Sequence, residues 1–200
     1  MTFNLSKKTV FIMALFLTSF GLFAQKMEQE TKKTKISIEI DPATFAFSGY
    51  AFHLRVQPKN SDHLLLGMGA YAMDFPSVLV DLNSNNKDDG WDVRLNSGLG
   101  LFGEYHFSEV NKKWYVGAQL ALQEYKIQKD FYDGESKYSN ILLMALGGYT
   151  LQPFEFPVYF KFWGGLGYTG QISGENAVGN AEYDISPLLM FGALHIGYTF

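Results

Sequence analysis

Ionisable residues recur at alternating positions within apolar runs of this chain: His53 and Arg55, Arg94, Glu104 and His106, Lys161, and His195. Gln119 and Gln123 fall in the same phase of their own run. Spacing by two puts such residues on one face of an extended strand. Acids, bases and histidines turned toward one enclosed space have two chemical readings. In the first they neutralise one another, because a buried charge is costly unless paired. Glu104 then pairs with Arg55 or Lys161, and the histidines bridge. In the second the same cluster is a proton-coupled or ligand-binding site. The pairing account is the expected one, and it leaves no catalytic residue in the set.

Other chemistry is thinly represented. The acidic residues Asp81, Asp88, Asp89, Asp130, Asp133, Glu135, Glu175 and Glu182 lie in polar stretches and could bind divalent cations. Asp88-Asp89-Gly90 lacks the spacing of a calcium loop, and a solvated loop surface explains these acids. No phosphate loop, zinc pair or nucleotide fingerprint occurs. The chain has no Cys, which excludes disulfides, thiolate-held metals and lipidation at an N-terminal Cys. No metal and no cofactor is expected.

The elements that would carry these residues are strands. After a charged stretch at 25–34, expected to be a flexible leader, KISIEI (35–40) alternates and is stopped by Asp41-Pro42. Further strands are expected at 45–57, 63–73, 91–107, 113–127, 138–150, 158–171 and 184–200. Within 74–90, VLVDL reads as a short helix or a strand extension. The strand at 91–107 is expected to turn Trp91, Val93, Leu95, Leu99, Leu101, Tyr105 and Phe107 one way, and Arg94, Glu104 and His106 the other. In 113–127, Trp114, Val116, Leu120 and Leu122 oppose Tyr115, Gln119 and Gln123. In 158–171, Phe160, Phe162, Leu166 and Tyr168 oppose Tyr159, Lys161 and Trp163. The run at 138–150 is apolar on both faces. Twenty Gly and 16% aromatic residues suit narrow closed sheets.

The two ends of the chain add a location. Residues 1–24 carry Lys7 and Lys8, an apolar run from Val10 to Phe23, and Ala24 before Gln25. That order describes a secretory signal peptide cleaved near Ala24, and the run is short for a spanning helix. Removing Lys7 and Lys8 takes the net charge from −4 to −6, which is no nucleic-acid footprint. At the other end, LLMFGALHIGYTF (188–200) alternates Met190, Leu194, Ile196 and Tyr198 against Ala193, His195, Gly197 and Thr199, and stops on Phe200. The terminal set Phe200, Tyr198 and Ile196 resembles the C-terminal signature of Gram-negative outer-membrane barrels, which the barrel assembly machinery reads. Across 35–200 the architecture resembles small barrels of the OmpX and OmpA-barrel type.

That resemblance implies an all-β fold: a closed antiparallel up-and-down transmembrane barrel in the outer membrane of the cell envelope. Short turns at 58–62, 108–112 and 152–157 alternate with long loops at 74–90, 129–137 and 173–182. Short turns face the periplasm in such barrels and long loops face outward. The alternation gives eight strands with both ends in the periplasm; ten would require splitting a loop such as 74–90. An eight-stranded barrel is just wide enough for side chains to fill. Phe102, Tyr115, Tyr159 and Trp163 would complete the plug.

Two families of outer-membrane enzyme bear comparison. Lipid A deacylases place His and Ser two residues apart with an acid nearby, which His106, Ser108 and Glu104 resemble. This set falls at the periplasmic turn with His106 facing inward, whereas the resemblance requires the outer leaflet. Palmitoyltransferases would need His in the extracellular loops, and those loops have none. The expected function is therefore structural or adhesive, a plugged barrel presenting loops, monomeric, with outer-membrane lipid as its surroundings and no nucleic-acid partner. The alternatives are a lipid-modifying enzyme, a small porin, and a soluble lipocalin-like ligand binder.

Overall fold

A computed structural model describes residues 33–200; the expected signal peptide, and the leader up to residue 32, lie outside the described residues. The elements are β1 (Lys35–Ile40), α1 (Pro42–Ala46), β2 (Tyr50–Gln57), β3 (Leu64–Asp74), α2 (Ser77–Val80), β4 (Trp91–His106), β5 (Lys113–Lys129), β6 (Ser136–Leu151), β7 (Val158–Gly174), β8 (Ala177–Val178), β9 (Ala181–Glu182) and β10 (Leu188–Thr199). Eight of the strands form one antiparallel sheet in the order β1-β10-β7-β6-β5-β4-β3-β2, and β1 pairs with β2 to close it into a ring. No helix among the described residues is long and apolar enough to cross a membrane.

Local chemistry sets the strand ends. β1 stops where the Asp41 side chain accepts the Ala43 N–H at 2.9 Å and caps α1, with Pro42 in the first turn. This helix occupies 42–46, so β2 begins at Tyr50 and not at Phe45 as the sequence pattern predicts. The first three residues of VLVDL lie in the helix α2, and Asp81 caps its end. The stretch 173–182, predicted as loop, folds into the small β8–β9 hairpin. Gly179 takes φ +62° in its turn, where Tyr132 packs too closely to leave room for a side chain.

Alternation organises the two faces of the ring. Ile38, Leu54, Leu66, Leu101, Leu120, Leu143, Phe162 and Met190 point outward, one from each strand, and all are exposed. Exposed aromatic rings flank this band: Tyr105, Phe107, Trp114, Phe156 and Tyr198 at the short-turn end, and Tyr50 and Tyr168 toward the other. Inward positions carry Arg55, Glu104, Tyr115, Tyr159, Lys161 and His195, all buried.

β4 breaks the alternation. Its pairing with β5 runs Leu95↔Tyr125 and then Ser97↔Glu124, so Asn96 is an extra residue. Such a bulge re-aims every side chain beyond it. Trp91, Val93 and Leu95 consequently face inward and are buried, while Leu99, Leu101 and Tyr105 face outward. The predicted single apolar face of 91–107 is therefore two faces joined at a bulge.

Beyond the bulge β4, β5 and β6 exchange their chemistry. Glu124 and Lys126 replace apolar residues outside, and Trp91, Val93, Leu95, Tyr125, Ile127 and Tyr138 pack inside with Met73, Val80, Val178 and Tyr183. The long-loop end thus has a core of its own, to which α2 and the hairpin contribute. Asp184 fastens it. Its main-chain N–H donates to Asn86 Oδ1 at 2.9 Å, and its carboxylate accepts from Asn83 at 2.8 Å and Asn85 at 2.9 Å.

Candidate functional site

The ionisable residues of the interior gather at the short-turn end. His53 and Arg55 come from the last half of β2, Glu104 and His106 from the end of β4, Lys161 from the start of β7 and His195 from the last turn-side half of β10. Cross-strand register brings His53 opposite Glu39, and His195 opposite Lys161. Glu39 is the member that the sequence reading missed. The alternation of Ile36, Ile38 and Ile40 against Ser37 and Glu39 was the available signal, because it leaves Glu39 no direction but inward.

Four charges form a closed circuit. Arg55 Nε donates to Glu39 Oε2 at 2.9 Å and Arg55 Nη1 lies 3.5 Å from Glu104 Oε1. Lys161 Nζ lies 2.6 Å from Glu39 Oε1 and 2.9 Å from Glu104 Oε2. Each carboxylate touches both cations, so the circuit is neutral. Tyr159 Oη donates to Glu39 Oε1 at 2.8 Å. The Arg55 guanidinium stacks 4.2 Å from the Phe102 ring centre, and Lys161 lies 5.3 Å from that of Tyr115. Glycines make room: a side chain at Gly67 would overlap Arg55, and one at Gly197 would overlap the Tyr159 ring.

The histidines extend the circuit. Trp163 Nε1–H donates to His195 Nε2 at 3.1 Å, so that nitrogen carries no proton. His195 Nδ1 then holds the proton and donates to Glu39 Oε2 at 3.2 Å. His106 Nε2 lies 3.3 Å from Glu104 Oε2, and its ring stacks on Tyr115. The His53 and His195 rings lie 4.6 Å apart.

Arg94 does not join them. The bulge at Asn96 turns it to the outer face at the opposite end of β4, where it pairs with Asp74 and donates to the Ser48 carbonyl. Its assignment to the lumen network is corrected on that ground.

Glu39, His53 and His195 offer ligand atoms within 4.8 Å of one another, the one such group among the described residues. Metal binding there is opposed by the charges already present, since Glu39 is bonded to Arg55 and Lys161. A triad of His106, Ser108 and Glu104 is opposed by burial: His106 is wholly enclosed and bonded to Glu104, while Ser108 lies past the end of β4. Of the acidic loop residues, Asp89 pairs with Lys129, Glu135 with Lys126, and Asp81 accepts the Asp88 N–H.

The rest of the interior is not filled throughout, contrary to the expected plug. Phe102, Tyr115, Tyr159 and Trp163 do face inward, yet a cavity of about 410 Å³ stands between the charged floor and the loop core. Met73, Leu95, Leu142, Met144 and Phe191 line it, and Tyr71, Gln119, Gln123, Asn140, His53 and His195 are among its polar groups. Gln119 and Gln123 both donate to Tyr71 Oη, at 3.0 and 3.2 Å.

No protein-family model matches this chain, and no curated protein or solved structure is significantly similar to it.

Proposed function

We propose that the ring is a membrane-embedded barrel of the outer-membrane type, closed at its periplasmic end by the Glu39–Arg55–Glu104–Lys161 circuit and presenting a structured loop surface outside. One observation carries this reading: the outer face is apolar on every strand of the closed sheet, while the buried charges are inside. Water disfavours so large an apolar belt, whereas a bilayer matches it, and closure leaves no unpaired sheet edge along most of the ring. The polar switch on β5 at Glu124 and Lys126 is consistent with strands that continue past the lipid. C-terminal Phe200, exposed with its ring 4.9 Å from that of Tyr198, is available to an assembly factor.

The loops favour a surface-interaction role over conduction. They are cross-braced by Asp184 and the hairpin, and they hold Val78, Leu82 and Phe131 exposed. The four charges of the floor circuit are paired with one another and do not stand free as pore-lining groups. Membrane fractionation tests the reading. The chain is expected in the outer-membrane fraction after an alkaline wash, and recovery in the periplasmic extract would overturn it. Large, steady single-channel currents in planar bilayers would overturn the closed floor.

A further inference from the structure

The ring has a gap on one side. β1 pairs with β10 only through Ser37–Ile40 against Ile196–Thr199. Above that level, Leu188–His195 have β7 on one side and no strand on the other. α1 lies in that place and touches β10, β2 and β3. The upper cavity reaches this edge. It is lined by Leu189 and Phe191, which point inward from β10, and also by Leu188 and Met190, which point outward and are strongly exposed. Consecutive residues of both faces, Leu188 to Phe191, line the cavity along the stretch of β10 whose second edge has no strand partner, as a cavity reaching that free edge would have them do. On the other side of the gap its wall is Thr44 of α1 and Ala51 of β2.

We infer that this chamber binds the acyl chain of a single-chain amphiphile, which passes sideways from the bilayer between α1 and β10. The inference rests on the membrane reading above. The chamber's size falls within the roughly 300–1,000 Å³ of small-molecule sites. Its walls are apolar, with a few convergent polar groups, as such sites require. Asn140 names the head. This side chain is 2% exposed, lines the chamber, and its Oδ1 has no hydrogen-bond partner. A buried acceptor without a partner is unfavourable, and a ligand hydroxyl or undissociated carboxyl would satisfy it. A carboxylate or phosphate head is disfavoured there, because the cations beneath are already matched by Glu39 and Glu104.

The tryptophans allow the two readings to fail separately. Trp163 lines the chamber and Trp114 stands on the outer face. Full-length chain folded into phosphatidylcholine vesicles is made with Trp163 alone (Trp91→Phe, Trp114→Phe) or Trp114 alone (Trp91→Phe, Trp163→Phe). Trace dibromo-octadecanol is expected to quench Trp163 in a saturable manner, with recovery on adding unbrominated octadecanol. Dibrominated phosphatidylcholine is expected to quench Trp114. Quenched Trp114 with Trp163 untouched by the alcohol overturns the chamber and leaves the barrel standing. Trp114 untouched by brominated lipid overturns both. Ala51→Phe narrows the gap and is expected to slow the onset of Trp163 quenching; an unchanged onset in the folded variant overturns the sideways route.

Discussion

Glu39 and Lys161 meet at 2.6 Å although their strands are not neighbours, because β10 runs between β1 and β7. Arg55 and Glu104 likewise reach past β3. The circuit therefore braces the interior across strands as well as along them. Arg55 can meet Glu39 and Glu104 along β1–β4, whereas Lys161 meets Glu39 across β10, so the Glu39–Lys161 contact depends on closure.

Removing one member should be worse than removing a matched pair. Glu39→Gln leaves Arg55 and Lys161 facing Glu104 alone, and loss of one partner of a buried pair costs about 3–5 kcal/mol. The double variant Glu39→Leu, Lys161→Met keeps the remaining charges balanced. Urea unfolding in detergent should show it destabilised less than the sum of the two singles. Strict additivity would contradict the coupling.

Tyr159→Phe keeps the ring that Gly197 accommodates and deletes one bond to a carboxylate. A loss of about 1.5–3 kcal/mol is expected, that of a hydrogen bond to a charged group. The same unfolding series measures it. No change would mean that Glu39 is held fully by its cations.

The loop core should loosen in acid. Amide donors from Asn83 and Asn85 hold the Asp184 carboxyl below the usual carboxylate range. A carboxylate depressed in the folded state stabilises it above the unfolded pKa, near 3.9. That contribution is lost as pH falls through the folded value. Limited proteolysis should find the 83–86 segment protected at neutral pH and cut more readily near pH 3, while the ring stays intact. Asp184→Asn should be cut alike at both pH values in that segment.

Deleting Asn96 should be tolerated, although it lies inside a long strand. Without the extra residue, Leu95 still points inward and Ser97 outward, and the chief loss is its bond to Glu124. Deleting Leu120 from β5, whose ladder with β6 is unbroken, turns one half of the strand inside out. Heat-modifiable gel mobility should show a folded band for the first deletion and none for the second.

On the proposed outer-membrane reading, deleting Phe200 should reduce folded barrel in that membrane without blocking export. Its main-chain N–H, which donates to the Ile36 carbonyl at 2.8 Å, is lost with the aromatic terminus. Wild-type levels of folded protein after that deletion would count against its role in assembly.

Alternation makes most of the ring readable in the sequence alone. His53, Arg55, Glu104, His106, Lys161 and His195 sit in runs whose period is two, and a period of two has one inward phase. Arg94 was misplaced because a single inserted residue shifts that phase, and nothing in the composition around Asn96 marks a bulge. The apolar residues Trp91 and Val93 read as outward for the same reason, although beyond the bulge they form a core under loops. The chamber was illegible for a different reason. It depends on how far β1 runs before Asp41-Pro42 stops it, and on what then stands beside β10. Those are relations between segments at opposite ends of the chain.

The pairing of β1 with β10 also bears on how the molecule is made. Ser37 and Thr199 share a hydrogen bond of 2.8 Å across 162 positions of sequence. Residues near Phe200 are thus required for the first strand of the ring to acquire its second neighbour. Contacts of such long range make for slow folding. Until this pairing forms, the facing edges of β1 and β10 stay open, and loss of either strand would leave a sheet with two unpaired edges.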